Sequence, residues 1–506
     1  MRIRLLITSL LSLLFLLPAR AEEPAPKREF RGAWLHVIGQ NQYMQKTPEQ
    51  CRKYITEQLD KLVEAGCNAV IFQVRPTADA MYKSDIEPWS AWLTGKRGKA
   101  PNPEWDPLQF TIDEAHKRGM ELHAWLNPYR VTSNPKEVLP ADHLYNKEPH
   151  RFFRYDNKIF FDPAYQENRD YISEVVADIV TRYDIDAIHM DDYFYPYPAG
   201  GAFNADTQSY AKFGQGKNKG DWRRHNVDLL IEQLHSTIKD IKPWVRFGIS
   251  PFGIWRNKRN DPRGSDSGGL QNYDDLYADI LLWADKGWID YVAPQLYWEL
   301  DLKVAPSRKL AQWWNDNIPE PVQLYIGQDT KRTMDKPTAT DSNELATKID
   351  ISRRLKNIDG NVWWHGYWVT GNYKGALDAL ASKHQSSLAI APAWDAKGGN
   401  PAKVTGLHTE ERDGIRLVAW DNPANFHGYG SEADAISGKS SDVVKYVVYE
   451  FFPGEDVDIN DPEAIIAVTP YNSVRVDNAE SGTVFIVTAL DRLNRESAPS
   501  AKLIVK

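Results

Sequence analysis

Between Phe30 and about Lys383 the chain alternates short apolar runs with longer stretches of helical periodicity, and the apolar runs number eight. The runs are Gly32–His36, Asn68–Arg75, Glu121–Asn127, the stretch Ile185–Pro196, Val245–Ser250, Ile289–Glu299, Val322–Asp329 and Val362–Trp368. Helices are expected between and after them. The first is marked by Thr47-Pro48-Glu49 as its start and Gly66 as its stop. Asp106–Arg118, Pro163–Tyr183, Trp222–Ile241, Tyr273–Lys286, Ser307–Asp316, Asp341–Lys356 and Tyr373–Lys383 follow. Strands that alternate with helices form a parallel sheet, and eight such units close a (β/α)8 barrel of the α/β class, the TIM barrel. An open doubly wound sheet is the competing arrangement. It ranks lower because no glycine-rich phosphate loop follows the first strand.

Side chains alternate across a strand, so the apolar set of each run fixes which residues face the barrel interior. Ala33 and Leu35 turn Trp34 and His36 inward; Val70, Phe72 and Val74 do the same for Gln73 and Arg75. Leu122, Ala124 and Leu126 turn in His123, Trp125 and Asn127, and Ile188 and Met190 turn in His189 and Asp191. On the later strands Ser250, then Gln295, Tyr297 and Glu299, then Asp329 face inward by the same rule. The eighth run, with Trp363, Trp364, His365, Tyr367 and Trp368, does not reveal its phase. Polar groups gathered at the carboxyl ends of barrel strands mark the active face, because burying them otherwise costs desolvation energy.

Two carboxylates across a barrel mouth are what glycosidic cleavage needs: one protonates the leaving oxygen, the other attacks the sugar carbon or activates water. Asp191 and Glu299 are the expected pair, Asp191 as nucleophile or base and Glu299 as acid. Asp192 points away in a regular strand and turns in only if the strand ends there; either adjacent acid is alternatively a helix cap. His36, Gln73, Arg75, Asn127, His189, Ser250, Gln295, Tyr297, Trp298 and Asp329 are candidates to hold sugar hydroxyls or orient the acids. Tyr129, Arg130 and Tyr193 join them from long loops on the same face. Those loops also carry Trp89, Trp92, Tyr195 and Trp255, expected as stacking platforms for sugar rings or, more blandly, as anchors of their own loops.

Arg2 and Arg4 precede an apolar run from Leu5 to Leu17, and Ala19-Arg20-Ala21 follows, so residues 1–21 are expected to be a secretory signal peptide. Residues 22–385 are then the barrel and 386–403, rich in Ala, Ser, Gly and Pro, a linker. Residues 404–506 show alternating runs with turn residues between them, as in a small β-sandwich of fibronectin type III type. No later run suits a membrane span, which makes the expected location periplasmic or extracellular, with possible attachment to the cell envelope. A net charge of -8 argues against a nucleic-acid partner. Eighteen Trp and 24 Tyr suit a carbohydrate cleft as well as a core.

Six motifs in order, FRGAWLHV from Phe30, FQVRPTADAMY from Phe72, AWLNPYR from Ala124, IHMDDYFYP from Ile188, GISPFGIWR from Gly248 and PQLYWE from Pro294, resemble the glycosyl hydrolase-like 10 family. The resemblance spans roughly Glu29–Asp335. It implies an exported or surface-attached bacterial barrel whose substrate is a glycan, in particular peptidoglycan strands lacking stem peptides. No cofactor or metal is needed for that chemistry. A catalytically silent carbohydrate-binding barrel is one alternative. A metal-dependent polysaccharide hydrolase or deacetylase is the other, with His189 and Asp191 as ligands.

Overall fold

The computed structural model describes residues 25–201, 203–338, 342–394, 399–429 and 438–506. The expected signal peptide lies outside them. Local chemistry starts the first long helix where the sequence places it. The Thr47 hydroxyl accepts from the Gln50 amide, the Gln50 side chain accepts from the Thr47 amide, and Pro48 occupies the first turn. Helix Pro48–Glu64 then buries Cys51, Ile55, Leu59 and Leu62, one stripe at helical spacing.

Eight parallel strands close a barrel: β1 (Phe30–Leu35), β2 (Ala69–Arg75), β3 (Glu121–Leu126), β4 (Ala187–Met190), β5 (Arg246–Ile249), β6 (Tyr291–Val292), β7 (Gln323–Asp329) and β8 (Gly360–Trp364), with β8 pairing back onto β1. Strand phase follows the pattern expected. Val70, Phe72, Leu122, Ala124, Ile188, Met190, Phe247 and Ile249 belong to the shell between strands and helices. Phe30, Trp34, Ile71, Trp125, Ala187, Tyr291, Tyr325 and Val362 fill the barrel itself. The eighth strand now shows its phase: Val362 and Trp364 face in and Trp363 faces out. Gly248 is required where it stands, because a Cβ there would sit inside the Tyr291 ring, which crosses the barrel at that level.

Three elements differ from expectation. The regular sixth strand is only two residues long, because Pro294 has no amide to donate and interrupts the ladder, which resumes as isolated bridges from Gln295 to Phe252 and Gly327. The helix expected over Tyr273–Lys286 is split into Asn272–Asp275 and Ile280–Asp285, with Tyr277 at φ 54° between them and Asp279 capping the second piece. The eighth strand stops at Trp364, and Tyr367 and Trp368 lie on a helix, Gly366–Thr370.

A polar chain runs up the barrel axis. The Trp34 indole N–H donates to His189 Nε2 at 3.1 Å, so His189 carries its proton on Nδ1, facing the Tyr291 hydroxyl at 2.8 Å. That hydroxyl also meets His123 Nδ1 at 2.8 Å, and His123 Nε2 meets Glu121 at 3.2 Å. Burial holds both imidazoles below their ordinary pKa, hence neutral. Every proton in the chain is therefore assigned: Trp34 to His189, His189 to Tyr291, Tyr291 to His123 and His123 to Glu121. Glu121, at the amino end of β3, is also ion-paired with Arg246 and accepts from Asn494 at 2.6 Å.

Asn494 belongs to the carboxyl-terminal unit, which is all β. Strands β9 (Thr405–Arg412), β10 (Ile415–Asp421), β11 (Val443–Phe451), β12 (Ile465–Thr469), β13 (Ser473–Arg475), β14 (Val484–Asp491) and β15 (Leu503–Ile504) form two antiparallel sheets, ordered β9-β10-β13 and β12-β11-β14-β15. Val418, Trp420, Tyr446, Val448, Phe485 and Val487 pack between them. This unit sits on the amino end of the barrel. Arg492 pairs with Asp184 at 2.6 Å, both buried, Tyr429 stacks on His116 at 3.5 Å, and Lys27 and Arg28 pair with Glu496. The stretch expected as a linker takes part, since Ile390 bridges to Arg28 and its amide donates to the Lys27 carbonyl. Among the described residues no helix is long and apolar enough to cross a membrane.

Candidate active site

The end of β4 delivers Asp191 and Asp192 together. Asp191 is buried and fully engaged: Oδ2 accepts from the Trp125 indole at 3.1 Å, and Oδ1 accepts from Asn127 Nδ2 at 3.0 Å and the Tyr193 amide at 3.1 Å. Burial raises its pKa, while the Arg130 charge and these donors pull it back. Asp192 is buried beside it and accepts from the Tyr197 hydroxyl. Burial first, then repulsion from Asp191, pushes the Asp192 carboxyl up to about 7, against the donors Tyr197 and Gln295. One acid is tied down by donors and faces a cation; its neighbour keeps its proton near neutral pH. That is the split acid chemistry requires.

Both acids open onto a cavity of about 310 Å³ at the carboxyl end of the barrel. The structure brings His36, Gln73, Arg130, Tyr193, Ser250, Gln295 and Tyr297 to the same cavity. Gln73 uses its side-chain oxygen to hold the Val37 amide at 3.0 Å, and Gln295 donates to the Ser250 carbonyl at 2.9 Å. Arg130 lies 4.1 Å over the Tyr193 ring. Burial and the neighbouring His365 push His36 down to about 3, so it is a neutral ring. Trp34, Trp125, Tyr197 and Trp364 also line the cavity and were not among the candidate site residues. Strand phase does turn Trp34 and Trp125 inward, but an inward aromatic reads as core; Trp364 sat on the strand whose phase was unreadable.

Other candidates lie elsewhere. Glu299 is not at the mouth. The segment still bridges to its neighbours at Gln295, four residues short of Glu299, and Glu299 lines a separate groove where Lys336 pairs with it at 3.4 Å. Burial opposes the shift, but its backbone bond, Lys336 and Arg332 hold its carboxyl below the ordinary value, the wrong direction for an acid. Asp329 caps helix Thr330–Asp335, accepting from the Arg332 amide at 2.9 Å. Arg75 follows a break in the β2–β3 register and is buried, forked onto Glu87 at 2.7 and 2.6 Å and bonded to the Asn127 carbonyl, with no group left for a sugar. Asn127 stands behind Asp191 as its donor. His189 lies below the cavity with both nitrogens engaged in the axial chain, which leaves neither for a metal ion. Tyr129 is buried in the outer core, and Trp298 packs edge-on against Phe252 at 5.3 Å. Tyr195 and Trp255 are buried too, and Trp89 and Trp92 pack partly buried against the same core, so all four anchor loops.

Comparison with known proteins gives a consistent set of relatives. The family described as Glycosyl hydrolase-like 10 matches residues 29–344. The chain is 37% identical over 493 residues to "Glycosyl hydrolase YngK" of Bacillus subtilis (strain 168), covering 94% of this chain and 93% of that protein. It is 37% identical over 378 residues to "Glycosyl hydrolase DigH" of Escherichia coli (strain K12), covering 68% of this chain and 85% of that protein. Among solved structures, the catalytic domain of a β-amylase from Paenibacillus polymyxa superposes with a TM-score of 0.48 at 13% identity, over 72% of this chain and 99% of that one.

Proposed function

The chain belongs to the glycosyl hydrolase-like 10 family, and from that premise we propose that Asp191 and Asp192 form the catalytic pair of a glycosidase whose substrate is bacterial cell-wall glycan. The observation that carries this is the shared cavity: two consecutive buried acids, one held by three donors and one keeping its proton up to about 7. Asp192 gives its proton to the leaving glycosidic oxygen, and ionised Asp191 steadies the positive charge that grows at the ring. Asp192 then takes a proton back from the incoming water. Arg130, Gln295 and Tyr297 border the same space and are placed to hold hydroxyls. The motif resemblance supports peptidoglycan strands without stem peptides as substrate, and the amino-terminal apolar stretch supports export to where they lie.

The test is release of new reducing ends from purified peptide-free glycan strands, from intact peptidoglycan and from common polysaccharides. Asp191→Asn and Asp192→Asn should each lose roughly 10²–10⁴-fold in turnover while still binding the glycan. Full activity in either variant would remove that residue from the pair.

A further inference from the structure

We propose that the sugar cleaved in this cavity carries a 2-acetamido group, and that the amide oxygen of that group, rather than a protein side chain, attacks the anomeric carbon. This rests on the assignment of Asp191 and Asp192 above and deepens it.

Two observations carry the step. The first is the position of the acids. Both come from consecutive residues, and among the described residues no other acid lines the cavity. Glu299 and Asp329, the other two candidate acids, are committed elsewhere. Asp191 has both oxygens already accepting hydrogen bonds, from Trp125, Asn127 and the Tyr193 amide. A carboxylate so engaged is built to accept one more N–H; forming a bond to carbon would strip those donors of their charge.

The second is what lies next to Asp191. Trp34, Trp125, Tyr297 and Trp364 meet in one aromatic corner of the cavity. Trp364 runs nearly parallel to Tyr297 at 6.2 Å, and Trp34 and Trp125 stand edge-on to Trp364 at 6.3 and 6.0 Å. Trp125 belongs to both features, since its indole N–H is a donor to Asp191. An apolar corner joined to a carboxylate matches a group with a methyl at its tip and an N–H beside it. A 2-hydroxyl supplies neither, and would leave the corner in contact with water.

The electron flow balances without any further reactant. The amide oxygen gives a lone pair to the anomeric carbon as the glycosidic bond breaks. That bonding pair stays on the leaving oxygen, which takes the proton of Asp192. Asp191 accepts the amide N–H and steadies the positive charge of the cyclic oxazolinium so formed. Water then adds to the anomeric carbon from the vacated face, its proton passes to Asp192, and the ring reopens to the acetamide. Two displacements at one carbon give net retention.

The test uses the intact protein and a series of aryl β-glycosides of N-acetylglucosamine oligomers whose cleaved ring bears an acetamido, difluoroacetamido or trifluoroacetamido group, or a plain 2-hydroxyl. Fluorine weakens the amide oxygen as a nucleophile. A nucleophile held at attack distance supplies several powers of ten, so kcat/KM should fall on the order of 100-fold or more across the series. Proton NMR should show the β-anomer released first, and the thiazoline analogue of the cyclic intermediate should inhibit competitively. A flat series, equal cleavage of the 2-hydroxyl glycoside, or a covalent glycosyl adduct on Asp191 would overturn the inference and leave the two-acid glycosidase standing. Cleavage of neutral hexans with no cleavage of any N-acetylated glycan would overturn the substrate reading and this inference with it.

Discussion

Asp192 stands where two penalties on ionisation add, its own burial and the charge next door. The consequence for rate has a definite sign. As an acid it must be protonated, so kcat/KM should fall as pH rises through about 7, and fall again on the acid side as Asp191 takes up a proton. A pH profile checks this, and Asp192→Asn should remove the alkaline limb. The consequence for stability runs the other way from a salt-bridged acid. The folded pKa lies above the unfolded 3.8, so the fold is favoured while the group is protonated and loses that advantage as pH climbs from there to about 7. Asp192→Asn should therefore melt higher than the parent at about pH 8, and the gap should close towards about pH 4. Strand phase brings Asp191 to the cavity, because β4 is regular up to Met190. It misplaces Glu299, because strand phase does not hold four residues past Gln295, where the segment still bridges to Phe252 and Gly327. The signal for the broken ladder is Pro294, which has no amide to donate.

At the scale of elements, what holds the strands in register is not only apolar. The axial chain ties β1, β4, β6 and β3 through Trp34, His189, Tyr291, His123 and Glu121. Tyr291→Phe takes away one hydroxyl and leaves a buried donor on His189 and a buried acceptor on His123 unmet. That should cost about 1–3 kcal/mol for each, read as a drop in denaturation midpoint. It should also loosen the Trp34 ring at the cavity floor, read as a larger change in KM than in kcat. Gly248→Ala should be worse, because the new methyl collides with the Tyr291 ring and that ring has nowhere to go in a filled barrel. The barrel itself is legible because eight runs alternate with helices and all but the eighth declare an inside and an outside. The chain of polar side chains was not: an inward His reads equally as a site residue or a satisfied core group, and only the facing hydroxyl of Tyr291 decides between them.

At the scale of the whole molecule, composition changes after Lys383 and suggests two units joined loosely, yet the described contacts between them are buried and charged. Arg492 against Asp184, with its guanidinium 5.4 Å over Trp244, and Asn494 against Glu121 fix the β unit to the barrel floor. Arg492→Ala should lower stability by about 2–3 kcal/mol without changing KM, measured by denaturation and kinetics on the same sample. Removal of residues 404–506 should go further and destabilise the barrel, since it strips Asn494 from Glu121 and uncovers that end of the axial chain. These contacts escape a sequence reading because the two partners of each lie more than 300 positions apart along the chain. Lys27 and Arg28 enter β1 at this same floor, beside Glu496, while Asp191 and Asp192 open at the opposite end. The leading segment and the β unit therefore share one end of the barrel, and the two acids open a full barrel's depth away from both.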